Sequence, residues 1–129
     1  MSDAESPAPD VHAAALAFNA AIELTSFPEV AEQLGMVVTN VHQLVRDGHL
    51  VAIRDAEGIR RIPSLLIQDG VIVKGVTGVI TVLRDAKFTD EEIVDWLHRA
   101  DDSLPGTPIQ ALRENRGTEV KRRAQVAGY

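Results

Sequence analysis

The sequence has no cysteine and few aromatic residues: one Trp, one Tyr and three Phe among 129 residues. Without cysteine there can be no disulfide framework and no thiolate zinc site, so a reducing cytoplasm is the expected compartment. Its apolar stretches are shorter than the ~20 residues that a membrane span needs, and the N-terminus lacks a basic signal-peptide start. We therefore expect a soluble protein with an aliphatic core, folded as one small domain with or without a helical extension.

Positive charge is also scarce, since 13 Lys and Arg stand against 19 Asp and Glu and give a net charge of −6. Taken as one number, this argues against nucleic acid, because phosphate binding needs a positive surface. Most of the excess of acidic residues is local, however, because residues 1–24 hold four acidic residues and no Lys or Arg. Two basic zones remain, at residues 46–61 and 113–123. Nucleic acid therefore stays a candidate partner.

The first 24 residues divide into two parts. Residues 1–10 contain two prolines, three acidic residues and hardly any bulky apolar side chain, a composition typical of a disordered tail. Residues 11–24 are rich in alanine and follow Asp10, which stands in an N-cap position, and this pattern predicts a helix. The pattern does not indicate what this helix packs against.

Two short helices joined by a tight turn are predicted next. Residues 26–29, SFPE, have the pattern of a capping box that opens the first helix, and Gly35 ends it. After a three-residue turn, Thr39 or Asn40 is predicted to cap the second helix, which ends at Gly48. The apolar stripe of this second helix, with spacing i, i+3, i+4, consists of Val41, Leu44 and Val45.

The next residues have the pattern of a β-hairpin. Residues 51–54 and 59–62 resemble strands, and they flank a turn in which Gly58 can adopt a positive φ. Pro63 closes the second strand. Helix, turn, helix and hairpin is the order of a winged helix-turn-helix. The predicted fold is therefore mainly α, with a small β-hairpin wing and a helical C-terminal segment.

The chain also resembles a known family. Residues 27–63, FPEVAEQLGMVVTNVHQLVRDGHLVAIRDAEGIRRIP, resemble the winged helix-turn-helix of excisionase-like and MerR-type DNA-binding domains. Residues 62–98 and 120–129 look like those of small actinobacterial winged-helix DNA-binding proteins, one mycobacterial member of which is a substrate of a membrane Ser/Thr protein kinase. The resemblance covers about residues 25–129. It implies a winged helix followed by helices, and binding of duplex DNA without catalysis.

In a helix-turn-helix the second helix enters the major groove with its N-terminal residues at base edges, and the wing reaches the backbone or the minor groove. With the apolar stripe facing the core, the outward residues of the second helix are Thr39, Asn40, His42, Gln43 and Arg46. Asn and Gln suit adenine and Arg suits guanine, so we expect Asn40, Gln43 and Arg46 at or near the bases. The wing would place Arg54, Arg60 and Arg61 on phosphate or in the minor groove. The alternative is a solvated polar face.

Past the wing, Asp69 and Gly70 predict a turn, and apolar spacing predicts a helix that ends near residue 87. Thr89 and Glu92 form a capping box that opens another helix, in which Trp96 is expected to anchor the two halves of the chain. A helical turn at 108–112 and a basic helix at 118–127 follow. The expected organisation is a tail at 1–10, a helix at 11–24, a winged helix-turn-helix at 25–66 and a C-terminal helical segment at 67–129.

The last helix carries a basic cluster of Lys121, Arg122 and Arg123. These side chains would add phosphate contacts if the helix packs beside the wing. A solvated helix end that suits its own dipole is equally compatible with the pattern.

Motifs for catalysis or metal binding are weak. Residues 70–77 have the glycine spacing of a phosphate loop, but Val76 stands where a lysine is required. The four histidines lack metal-ligand spacing, and the acidic residues at 90–95 suit the start of a helix. We expect no enzyme activity, no metal and no cofactor.

Two functions from different classes follow. The first is a cytoplasmic, nucleoid-associated DNA-binding protein, either a transcriptional regulator or a nucleoid factor. A Ser/Thr protein kinase is a candidate partner, because phosphate would repel DNA; its candidate acceptors are Ser2, Ser6, Thr25 and Ser26.

The second candidate function is that of a protein-interaction adaptor, which the acidic pI of about 5.1 favours. Residues 104–124 faintly resemble the toxin-binding region of some antitoxins, which fits the adaptor. The sequence leaves the oligomeric state open.

Overall fold

The computed structural model describes residue 19, residues 21–100 and residues 105–127. The predicted tail at 1–10, with Ser2 and Ser6, and most of the predicted helix at 11–24 lie outside these residues. In chain order the elements are β1 (Leu24–Thr25), α1 (Phe27–Leu34), α2 (Val38–Arg46), β2 (Ile53–Arg54), β3 (Arg60–Pro63), a 3-10 turn (Ser64–Leu66), β4 (Ile67–Gln68), β5 (Val71–Ile72), α3 (Val76–Asp85), α4 (Asp90–His98), α5 (Pro108–Arg113) and α6 (Gly117–Ala127).

The wing sheet has three strands in the order β1, β3, β2, all antiparallel. The prediction that the N-terminal helix runs to Leu24 is wrong, because Leu24 lies in β1 opposite Pro63. Strand β3 would otherwise leave one edge of the hairpin unpaired, and β1 covers that edge. The pairing continues beyond the strands, where the N–H of Ser64 donates to the carbonyl of Glu23 at 3.1 Å.

Helix α1 begins and ends where the sequence predicts. The Ser26 hydroxyl accepts a hydrogen bond from the N–H of Glu29, and the Glu29 carboxylate accepts one from the N–H of Ser26. Gly35 ends the helix in the left-handed region, with φ 69°. The capping box at the start and the glycine at the end are both confirmed.

Helix α2 begins earlier than predicted. Its N-cap is Val37, which makes no side-chain capping bond, so the prediction that Thr39 or Asn40 caps the helix is wrong. Both lie in the first turn. Packing explains the difference, because Val41 is fully buried and Val45 nearly so. Burial of this face against α1 positions the helix without help from a cap.

A second hairpin follows the wing. Strands β4 and β5 pair through a turn in which Asp69 and Gly70 have φ of 53° and 79°, the left-handed pair of a type I′ turn. The sequence predicted the turn but not the strands, each of which has two residues. The hairpin packs against α1, so the chain after the wing is not helical throughout.

The C-terminal helices share one core with the winged helix. This core is aliphatic apart from Phe27 among the described residues, as the composition predicts. Helix α3 packs against α6 and α4, and α4 reaches strand β2. The Thr89 capping box that opens α4 is confirmed. Within the described ranges, the structure has no helix that is long and apolar enough to cross a membrane.

The surroundings of Trp96 do not support its predicted role as the anchor between the two halves. It is only partly buried, and the cavities beside it are lined by residues of the C-terminal segment. The junction instead uses Arg113, whose guanidinium donates to the carbonyl oxygens of Leu65 at 2.8 Å and Ile67 at 3.1 Å. The Thr77 hydroxyl adds a bond to the carbonyl of His49 at 3.0 Å. In each of these bonds the acceptor is a backbone carbonyl, which the spacing of apolar residues in the sequence does not reveal.

Candidate nucleic-acid interface

The outward face of α2 is polar and open. All five residues predicted to point outward are exposed, and the described part of the chain does not cover them: Thr39, Asn40, His42, Gln43 and Arg46. The opposite face is buried at Val41 and Val45, with Leu44 half-buried. The periodicity of the sequence therefore assigned these two faces correctly.

Three side chains on this face form a hydrogen-bonded row. The Gln43 amide donates to both carboxylate oxygens of Asp47, at 2.9 and 3.0 Å, and its carbonyl accepts from Arg46 at 3.1 Å. The row orients the Gln43 side chain along the helix. Because the bonds are exposed, each can be exchanged for a bond to another partner at small net cost.

His42 differs from its neighbours on this face. Its ring lies against Phe27, with centroids 4.5 Å apart and planes tilted by 41°. This contact joins the outward side of α2 to the start of α1. The role of His42 therefore includes packing between the two helices of the motif.

Two apolar residues at the start of α2 escaped the sequence prediction. Val37 and Val38 are 64% and 38% exposed, although the sequence places them in the turn between the helices. The signal that could have found them is their position, directly before the polar outward residues. They lie at the N-terminal end of α2, on the side of Val41, where they are exposed.

Asp55 organises the tip of the wing. One carboxylate oxygen accepts from the N–H groups of Glu57 and Ile59, both at 2.9 Å, and the other accepts from Arg61 Nε at 2.8 Å. The N–H of Ile59, followed by the Arg61 guanidinium, lowers the pKa of Asp55. Arg61 is half-buried in this ion pair. Arg61 therefore helps to hold the turn.

The other two wing arginines lie directly opposite each other. The register pairs Arg54 of β2 with Arg60 of β3, and both are exposed. The Arg54 guanidinium donates to the carbonyl of Gly58 at 2.8 Å, which holds it along the wing. Like charges at directly opposed strand positions destabilise a hairpin. The hydrogen bond to Gly58 offsets part of this repulsion for Arg54, and an anion bound across the pair would offset it further.

The basic cluster of α6 lies elsewhere. Lys121 and Arg122 are exposed and Arg123 is half-buried. Within the described residues, α6 packs mainly against α3 and α5, and the wing is not among its main partners. Arg122 and Arg123 instead line a cavity of about 470 Å³ next to Trp96. Packing of α6 beside the wing, the condition under which this cluster would add phosphate contacts, is therefore not found among its main contacts.

Two of the four candidate phosphorylation sites can be described. The Thr25 hydroxyl lies 2.6 Å from that of Ser64, in the strand that covers the wing sheet. The Ser26 hydroxyl donates to the Glu29 carboxylate at 3.0 Å in addition to its capping bond. Both hydroxyls are engaged in the fold, so a phosphate on either one would replace existing hydrogen bonds.

Known proteins resemble both halves of the chain. The family model described as "DNA-binding protein Rv2175c, wHTH domain" matches residues 11–67, and the one described as "Rv2175c C-terminal domain of unknown function" matches residues 73–128. The DNA-binding protein Rv2175c of Mycobacterium tuberculosis is 39% identical over 114 residues, which cover 79% of this chain and 78% of that protein. The NMR structure of Rv2175c aligns with a TM-score of 0.77 at 37% identity, over 84% of this chain and 83% of that one.

Proposed function

The chain belongs to the Rv2175c family of winged helix-turn-helix proteins, and we propose that it binds duplex DNA with α2 in the major groove and the wing on the backbone or in the minor groove. The actinobacterial winged-helix resemblance seen in the sequence is confirmed, and so is the mainly α fold with a hairpin wing. That the relative in M. tuberculosis is named a DNA-binding protein supports the proposal.

One observation carries this function. The face of α2 that would enter a groove is polar, exposed and left open by the described part of the chain. Asn40, Gln43 and Arg46 on this face are residue types that pair with adenine or guanine in the major groove, and the fold leaves them accessible. The net negative charge of the chain is no obstacle, because binding depends on the local charge near the phosphates.

We propose different roles for the residues expected to contact DNA. Asn40, Gln43 and Arg46 are proposed at or near the bases. In the free protein, hydrogen bonds to Asp47 and Arg46 hold the Gln43 side chain, and a base would take the place of these partners. Arg54 and Arg60 are proposed on phosphate. Thr39 and His42 lie on the same face and are proposed as further DNA contacts, and Arg61 shapes the wing through Asp55.

The proposal is tested by fluorescence anisotropy, titrating the full chain into a duplex selected from a random-sequence pool. The wild type should bind with an affinity that falls as salt rises. Asn40→Ala should weaken binding to the selected duplex by about 5- to 150-fold, the loss of one base contact of about 1–3 kcal/mol.

Gln125 supplies the matched control. It is an exposed amide on α6, and Gln125→Ala should leave the affinity unchanged. A wild-type protein that gives no signal, or a signal insensitive to salt, would reject DNA binding.

Regulation by phosphorylation is a finer part of the proposal. We propose that the protein acts as a transcriptional regulator or nucleoid-associated factor in the cytoplasm, and that a Ser/Thr protein kinase weakens DNA binding by modifying Ser2, Ser6, Thr25 or Ser26. A phosphate adds nearly two negative charges, which repel the DNA backbone. Treating the protein with a Ser/Thr kinase and finding unchanged DNA affinity despite phosphate incorporation would reject this control.

The surface around Trp96 supports an adaptor function as the second candidate. Trp96 borders two cavities of about 420 and 470 Å³, and the neighbouring Val126 is 63% exposed. An apolar surface edged by Arg122 and Arg123 suits an apolar segment of a protein that also carries acidic residues. In the same titration, an adaptor that does not bind DNA would give no salt-dependent signal.

A further inference from the structure

Exposed large apolar side chains are few in the described part of the chain, and they are not evenly placed. Those exposed are Val37, Val38, Ile59, Val71 and Val126. Three of the five lie on the two elements proposed to face DNA: the first two at the start of α2, and Ile59 at the tip of the wing. Val37 and Val38 are adjacent in the chain, so they form an exposed apolar pair instead of isolated side chains.

Folding does not explain Val37. Its side chain is 64% exposed, so it adds little to the core. As the N-cap of α2 it makes no capping hydrogen bond. The residues that cap α1, α4 and α5 all accept such a bond: Ser26, Thr89 and Thr107. Serine, threonine, asparagine or aspartate at position 37 would stabilise the helix, whereas valine is among the poorest caps.

A major groove offers one apolar feature to a protein, the C5-methyl group of thymine. In a helix-turn-helix the residues at the start of the second helix lie closest to the base edges. Val37 and Val38 occupy this position, at the N-terminal end of the apolar stripe that continues in Val41, where both side chains are exposed. A side chain that cannot donate or accept a hydrogen bond can still gain from burial against that methyl group.

We propose that Val37 and Val38 contact thymine methyl groups, so that the DNA bound by this protein carries thymine beneath the start of α2. The inference rests on the proposed DNA binding. It adds the class of base read at that point and the residues that read it.

The test replaces thymine with uracil, one position at a time, in the duplex selected for the full chain. Uracil keeps every hydrogen-bonding group of thymine and lacks only the methyl group. At a contacted position, the wild type should bind the uracil duplex about fourfold more weakly, which corresponds to about 0.8 kcal/mol for one buried methyl group. Positions that α2 does not reach should show no change.

The variant Val37→Ser links this effect to the side chain. It should lower affinity for the thymine duplex and reduce the ratio between thymine and uracil at one position toward one. Because serine can cap α2, the same variant should raise Tm by a few degrees. Lower affinity in a more stable protein cannot be due to unfolding. The double variant with Val38→Ser should remove the remaining discrimination.

Val126→Ser is the matched control, since Val126 is 63% exposed and lies on α6. It should retain the full ratio between thymine and uracil. Equal affinity of the wild type for every thymine and uracil duplex would overturn the inference and leave DNA binding standing. Discrimination that persists in the double variant would also overturn it. If the wild type binds no duplex, the proposed function fails and the inference fails with it.

Discussion

The opposed arginines of the wing allow stability and DNA binding to be separated. In Arg60→Thr the repulsion across the pair with Arg54 is lost, and a β-branched residue takes the strand position. The free energy of unfolding should rise by about 0.2–1 kcal/mol at low salt, with a smaller gain at high salt, where the repulsion is screened. DNA affinity should change in the opposite direction, because one phosphate contact is lost.

The size of the binding effect follows from counterion release. Each neutralised phosphate contributes about −0.9 to the slope of log affinity against log salt. Arg60→Thr should therefore reduce the slope by about 0.9. Between roughly 50 and 200 mM salt, the variant should lose about 3.5-fold less affinity than the wild type does. Changing Arg54 as well should double the reduction in slope.

The assay combines urea denaturation with anisotropy titrations at four or more salt concentrations. Arg99→Ala is the control, since it also removes one positive charge but lies at the end of α4 in an ion pair with Asp95. It should leave the salt slope close to that of the wild type. A salt slope unchanged in Arg60→Thr and in the double variant would refute phosphate binding by this pair. A lower free energy of unfolding in Arg60→Thr would refute the repulsion between Arg54 and Arg60.

Three further predictions concern single side chains. Asp55→Ala should speed up hydrogen exchange at the amide of Ile59, which loses its acceptor, while the helical circular dichroism stays constant; unchanged exchange would contradict the role of Asp55. Burial lowers the pKa of His98 from 6.5, so the folded protein holds this proton less readily than the unfolded chain, and the free energy of unfolding should fall as pH drops from 6.5 through the folded-state pKa. His98→Gln should flatten that part of the curve, and a curve of unchanged shape would exclude His98 as its source. Arg113→Met removes the donor to two backbone carbonyls and should lower the free energy of unfolding by about 1.5–3 kcal/mol in urea, whereas Arg122→Met should change it by less than about 0.5 kcal/mol; equal effects would refute the link at the junction.

Local signals in the sequence were sufficient for helix boundaries where a cap defines them. The capping boxes at Ser26 and Thr89 join residues three positions apart, and the structure confirms both. The turn at Asp69 and Gly70 needs only two residues that tolerate positive φ. The interaction that defines each of these features is contained in a few consecutive residues.

Predictions failed where the decisive partner is distant in the chain. Leu24 pairs with a strand almost forty residues later, which overrides the helical preference of the segment before it. The start of α2 depends on packing against α1 instead of on a cap. Trp96 looked like an anchor because of its size, but Arg113 holds the junction through carbonyl groups that every sequence possesses.

The division into a winged helix-turn-helix at 25–66 and a C-terminal segment at 67–129 stays a prediction, as do the individual contacts with DNA. By itself, the sequence determined which face of α2 turns outward, because helical periodicity separates Val41 and Val45 from the polar residues between them. Only the tertiary structure decided which arginines are available to a ligand. Strand register set Arg54 opposite Arg60 and brought Arg61 to Asp55, and the exposure of Val37 depends on how α1 and α2 pack. Register and packing arise from contacts between segments, and so they cannot be read from any one segment.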